Sequence, residues 1–151
     1  MRICNLLIAI LLVLSSIAAF GTDMAVPQDW VKTDCGHFTL FHPPDMKEEK
    51  VRGIDSDVRQ FKSASIILSS DFGRYSDPLD RGYPKPFETI MIGGKQARII
   101  VYSRAGEFPF LCNIHFPDTG KAGVTLTLGG GCKSKAALDI LQHIYGTIRF
   151  K

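Results

Sequence analysis

The side chains of this chain that can act as nucleophiles, bases or metal ligands are four cysteines, four histidines and a scatter of aspartates. A cysteine nucleophile needs a base beside it to take the thiol proton, and no local motif supplies that arrangement here. Zinc asks for paired ligands at short spacing, and Cys35 with His37 offers two at best. Asp55, Asp57, Asp71, Asp77 and Asp80 lack the spacing of an EF-hand loop, and aspartates in such turns also accept from backbone N–H groups. His37 and His42 are five apart, so on one regular strand they face opposite ways. His115 and His143 stand alone. No serine lies in a G-x-S-x-G elbow, and Asp71-Phe72-Gly73 matches a kinase tripeptide without any other kinase element. The Gly-Gly-Gly-Cys-Lys-Ser run over 129–134 precedes a helical pattern, where backbone N–H groups and the helix dipole can hold an anion. It lacks P-loop spacing, and the plainer reading is a flexible strand-to-helix connection. No catalytic set, metal or cofactor is expected from these residues.

Recognition chemistry is better represented. Residues 71–110 hold Arg74, Tyr75, Arg81, Tyr83, Phe108 and Phe110 among several prolines. Aromatic and arginine side chains are favoured anchors of protein interfaces, so these six form the expected partner surface. The competing expectation is that the aromatics complete the core beneath a long loop.

The first 21 residues carry an address. Arg2 precedes an apolar run over 6–14, which ends in small residues. That is the layout of a secretory signal peptide. Ala19 and Gly21 suit the shallow peptidase pockets for cleavage before Thr22, and Ser16 with Ala18 is a second fit. Residues 3–22 are uncharged and long enough to span a bilayer, but Ser15, Ser16, Gly21 and Thr22 interrupt the far end. Cleavage would leave residues 22–151 as a single exported domain, periplasmic or secreted, with no membrane span. That part has 17 basic and 15 acidic residues, a net charge of +2 in place of +3, which gives no reason to expect a nucleic-acid partner.

Export implies an oxidising compartment. Cys35, Cys112 and Cys132 remain after cleavage, enough for one intramolecular disulfide and one odd thiol. Cys35 and Cys132 both lie in loop-like contexts, while Cys112 lies in an apolar strand pattern. The expected pairing is Cys35–Cys132.

Elements that would position these groups follow from periodicity. The stretch Phe38–His42 reads as a strand halted by Pro43 and Pro44. Residues 45–50 read as a polar turn or short helical segment. Extended patterns recur over 58–62 and 65–69, followed by a turn-rich, irregular stretch over 71–86. Residues 87–92 and 95–102 flank Gly93-Gly94, the signature of a two-residue hairpin. Ala97, Ile99 and Val101 share one face of its second strand, and Arg98, Ile100 and Tyr102 the other. Strands over 111–116 and 124–128 come next, the latter with Val124, Leu126 and Leu128 inward and its threonines on a wetter face. Ala137, Leu138, Leu141, Ile144, Tyr145 and Ile148 then recur at helical spacing, with Ser134 as N-cap and Gly146 as C-cap. Thr147 to Phe150 reads as a tail or edge strand. The sum is an α+β domain: a mainly antiparallel sheet of six or seven strands with the C-terminal amphipathic helix on one face.

The order of these parts resembles the PsbP/Mog1-like fold family. The matching pieces are the first strand running into Pro43-Pro44, the Gly93-Gly94 hairpin followed by Ala97, and the terminal helix with its closing Phe150. Where members of that family carry a tryptophan after the first strand's proline, this chain has Asp45-Met46. The resemblance implies a non-enzymatic binding or assembly module, here of the bacterial cell envelope, with a protein partner. A small exported hydrolase with an unrecognised site and an inhibitor or immunity-type protein are the alternatives. N-terminal sequencing of the exported form is expected to begin at Thr22, and a first cycle reading Met1 would refute the processing step.

Overall fold

The structure, a computed structural model, describes residues 25–151. The processing site and the signal peptide expected over 1–21 lie outside the described residues. The elements in chain order are β1 (Val31–Asp34), β2 (Phe38–His42), β3 (Lys47–Glu49), β4 (Asp57–Lys62), β5 (Ile66–Gly73), β6 (Glu88–Ile92), β7 (Lys95–Ser103), β8 (Phe110–Phe116), β9 (Thr125–Cys132), α1 (Lys135–Gly146) and β10 (Arg149–Phe150). They make an α+β fold of two antiparallel sheets. The larger runs β3-β4-β5-β9-β8-β7-β6, and the smaller runs β1-β2-β10. The helix packs on one face of the larger sheet, against β8, β9 and β5, and also touches β2.

Local chemistry accounts for most of these elements. Gly93 and Gly94 take φ of 56° and 77°, the pair of positive values that a two-residue hairpin turn demands. Ser134 caps α1 by accepting from the Ala137 N–H at 3.1 Å. The expected stripe is buried: Ala137, Leu141, Ile144 and Tyr145 on the helix, and Ile148 just beyond. Gly146 is the last helical residue and not the cap. Thr147 takes that place with φ −88°, and its hydroxyl donates to the Ile144 carbonyl at 2.6 Å. The same oxygen accepts from the Phe41 N–H at 2.9 Å, so the helix end is tied to β2. Phe150 then pairs with Phe38 in register and meets Phe116 edge-on at 5.1 Å.

Further expectations change. The glycines at 129–131 are not a connection. They lie inside β9, where Gly130 is paired with Leu68 on one side and Cys112 on the other. The reason is the helix above. A Cβ on Gly130 would collide with Leu141 and come within 2.8 Å of the Tyr145 hydroxyl. That hydroxyl donates to the Cys112 carbonyl at 2.8 Å, a side chain-to-backbone bond between helix and sheet. β1 precedes the first expected strand, and residues 47–49 form the edge strand β3 and no helix. Finally, Cys35, Cys112 and Cys132 are all buried free thiols, so the expected Cys35–Cys132 bridge is not formed. Cys35 sits in the turn between β1 and β2, whereas Cys132 closes β9 opposite Phe110, diagonal to Cys112.

Because α1 rests on bare backbone at Gly130, Gly130→Ala is expected to destabilise the fold by about 1–3 kcal/mol through overpacking. Gly129→Ala, where the nearest atom is Asn113 Oδ1 at 3.4 Å, is expected to cost less. Tyr145→Phe should lose about 1 kcal/mol with its hydrogen bond. Urea denaturation of the three variants checks the order.

Candidate binding cleft

The larger sheet has a second face, away from the helix, and its strand register lines up a polar row. Asp71 on β5 pairs with Thr127 on β9, Thr127 with His115 on β8, and His115 with Arg98 on β7. The expectation of a wetter threonine face fails at Thr127, which is 8% exposed. Residues 74–87 cross this face as a strap. Ser76 and Thr125 share a hydrogen bond of 2.6 Å, Thr127 Oγ1 donates to the Asp77 carbonyl at 2.7 Å, and Arg98 Nη1 donates to the Pro78 carbonyl at 3.0 Å. Leu79 of the strap is buried with φ of 60°, and its N–H donates to Asp77 Oδ1 at 2.9 Å. The left-handed backbone at a leucine is costly and persists only where its surroundings hold it.

His115 is nearly fully buried, and its Nδ1 lies 2.8 Å from Thr127 Oγ1. Since the threonine proton is committed to the Asp77 carbonyl, the histidine must be the donor, which assigns its proton to Nδ1. Asp71 stands two strands away, about 10 Å at the usual strand spacing. The carboxylates of Asp77 and Asp80 act on the ring more weakly than Arg98 does, and its Nδ1 proton is held by Thr127. Burial, and then the charge of Arg98, hold its pKa below the ordinary 6.5. The thiols are equally unsuited to attack. Burial pushes Cys35 up to about 11 and Cys132 to about 12, and it pushes Cys112 higher still. Among the described residues, no group of three His, Cys, Asp or Glu side chains is placed to hold a metal ion.

An accessible concavity lies where β5 ends and β4 and β9 begin. It is an open cleft of about 440 Å³ lined by His37, Asp55, Ser56, Asp57, Phe72, Gly73, Arg74, Tyr75 and Val124. His37 stacks on Phe72 with ring centres 4.2 Å apart. Lys121 Nζ donates to His37 Nδ1 at 2.8 Å and also stands 5.7 Å from the Phe72 ring centre. Tyr75 in this lining is 82% exposed, and Ile54, which precedes Asp55 in sequence but is not part of the lining, is fully exposed. Arg74 beside Tyr75 is exposed as well.

The six residues expected to form one partner surface fall in three places. Arg74 and Tyr75 belong to the cleft. Arg81 is exposed on the strap, with Asp80 at 3.8 Å. Tyr83 is fastened within the strap: its hydroxyl donates to Asp77 Oδ2 and accepts from Asn113 Nδ2 at 3.4 Å. Burial and the Asp77 carboxylate raise its pKa to about 12. Phe108 and Phe110 are half-buried at the opposite end of β9, about 23 Å away by strand rise. There Phe108 packs over Gly131, and Lys133 stands 5.3 Å from its ring centre. The sequence reading missed Ile54, His37 and Lys121. An isoleucine inside the otherwise polar 53–57 segment was the signal available for the first.

The lowered pKa of His115 has a pH signature. The unfolded chain takes up the proton near 6.5 and the folded chain does not, so the stability tied to neutral His115 is complete above 6.5 and is lost as pH falls below it. Denaturant midpoints measured at pH 7.5 and 5.5 are expected to drop on acidification, and His115→Gln should reduce that drop.

No family model matches the chain, and no curated protein matches it. A crystal structure from Bacteroides thetaiotaomicron, determined at 1.50 Å, is similar with a TM-score of 0.52 at 10% sequence identity, over 82% of this chain and 48% of that one. The chain thus spans about half the length of that protein, and the likeness is one of fold.

Proposed function

We propose that the chain is an exported, non-catalytic binding or assembly module of the bacterial cell envelope, and that its protein partner docks at the cleft of Arg74 and Tyr75. One observation carries the reading: an exposed tyrosine and an exposed arginine line a concave site, and a fully exposed isoleucine adjoins its Asp55 in sequence. Large apolar groups left in water at a cleft gain most when a partner covers them, and tyrosine and arginine are the side chains that dominate such contacts. The cations of Arg74 and Lys121 and the carboxylates of Asp55 and Asp57 supply a charged rim of both signs, suited to fixing the orientation of a protein. The resemblance to PsbP/Mog1-like modules supports the same assignment. The protonated thiols and the committed His115 argue against the hydrolase alternative.

A photo-crosslinking amino acid placed at position 75 in the exported protein tests it. A discrete protein adduct is expected from position 75 and none from position 135 on the far side of the molecule. Tyr75→Ala is expected to weaken binding of the purified partner by about tenfold or more at unchanged folding stability. Equal adducts from both positions would overturn the assignment.

A further inference from the structure

The two edges of the larger sheet are treated differently. At one edge β3 has only three residues, Lys47, Glu48 and Glu49, all exposed and charged. Short, charged strands are how sheets discourage pairing with another chain. At the other edge β6 is longer, and from Thr89 to Ile92 it has no charge and no proline. Its pairing explains which of its backbone groups are open. Ile92 and Lys95 flank the two-residue turn, so they form a hydrogen-bonded pair, and the pattern alternates from there. Ile92, Ile90 and Glu88 spend their backbone groups on β7. Thr89 and Met91 point theirs outward, and neither has a hydrogen-bond partner among the described residues. Met91 is 50% exposed, and Ile90 is half-buried against the rim of the core.

We infer that β6 is a self-pairing edge: two copies of this chain associate by antiparallel β6–β6 pairing about a twofold axis through Ile90, joining their larger sheets. The register follows from the open groups. Thr89 and Met91 are the two outward positions, and an antiparallel second copy presents the same two in reverse order. Thr89 therefore exchanges both main-chain hydrogen bonds with Met91 of the second copy, and Met91 with its Thr89. Ile90 then faces Ile90 of the second copy in the close, non-hydrogen-bonded position, so the cores of the two sheets become continuous. Glu88 lies opposite Ile92 and not opposite another Glu88, so no like charges meet. Pro86 and the Gly93-Gly94 turn bound the pairing on both sides. A single strand pair buries little area, so the association is a weak one.

The test uses the processed chain itself. Sedimentation equilibrium over micromolar to millimolar protein is expected to show a monomer–dimer equilibrium, with Thr89 and Met91 amides gaining protection from hydrogen exchange as concentration rises. Thr89→Pro removes one outward N–H without touching the β6–β7 bonds and should weaken dimerisation at least tenfold. Ile90→Cys should cross-link between copies under mild oxidation, because that pair of Cα atoms sits about 4.5 Å apart, and Met91→Cys should not. A chain that stays monomeric at millimolar concentration would overturn the proposal. So would a dimer indifferent to Thr89→Pro, or amide protection at 89 and 91 that appears only when a different protein is added.

Discussion

The architecture depends on how closely α1 approaches β9. A helix normally rests on a layer of side chains, but here it rests at Gly130 on backbone, with Leu141 and Tyr145 filling the space a Cβ would take. That contact lets the Tyr145 hydroxyl reach the Cys112 carbonyl on the next strand. It also sets the height of the helix end, where Thr147 meets Phe41 of β2 and so determines where the small sheet sits. One missing methyl group thus governs the relation of helix, large sheet and small sheet. Tyr145 is fully buried, and its ionisation is suppressed by the desolvation that this seat imposes.

The other face is held by a different physics. No helix covers it. A strap without regular structure does, and its backbone carbonyls at Asp77 and Pro78 are satisfied by Thr127 and Arg98 from the sheet. A buried irregular segment would otherwise leave polar groups without partners. The polar row of Asp71, Thr127, His115 and Arg98 is thereby accounted for in large part as the anchoring for that strap. With the strap fastened down, the cleft at the end of β5 still presents Tyr75 to water.

Much of the fold is legible in the sequence because it is local. Gly93-Gly94 announces its turn through backbone freedom, Ser134 announces its helix through its hydroxyl, and the Leu141-to-Ile148 stripe announces a buried face. The extension of β9 is illegible for the opposite reason. A glycine run carries no side-chain alternation, and the cause of Gly130 lies more than ten residues later on another element. β3 has no apolar residue to betray it, since an exposed edge strand borrows its conformation from β4. In the cleft, Arg74 and Tyr75 are visible by residue type. Ile54 is masked by its acidic neighbours, and His37 acquires its place only by stacking on Phe72 from a distant strand. Phe108 misleads because Gly131, paired in β9, leaves room for it to pack down.

The small sheet sets an order of events in synthesis. β2 is made early, yet one of its two neighbours, β10, comes after every other strand, and α1, which seals the large sheet, is made just before it. A nascent chain that already holds β2 through β9 has its most apolar sheet face, with Leu68, Ile114, Leu126 and Leu128, still uncovered. The domain therefore cannot close piecemeal from its N-terminal side. Until α1 and β10 have been made, that apolar face stays open to aggregation and proteolysis.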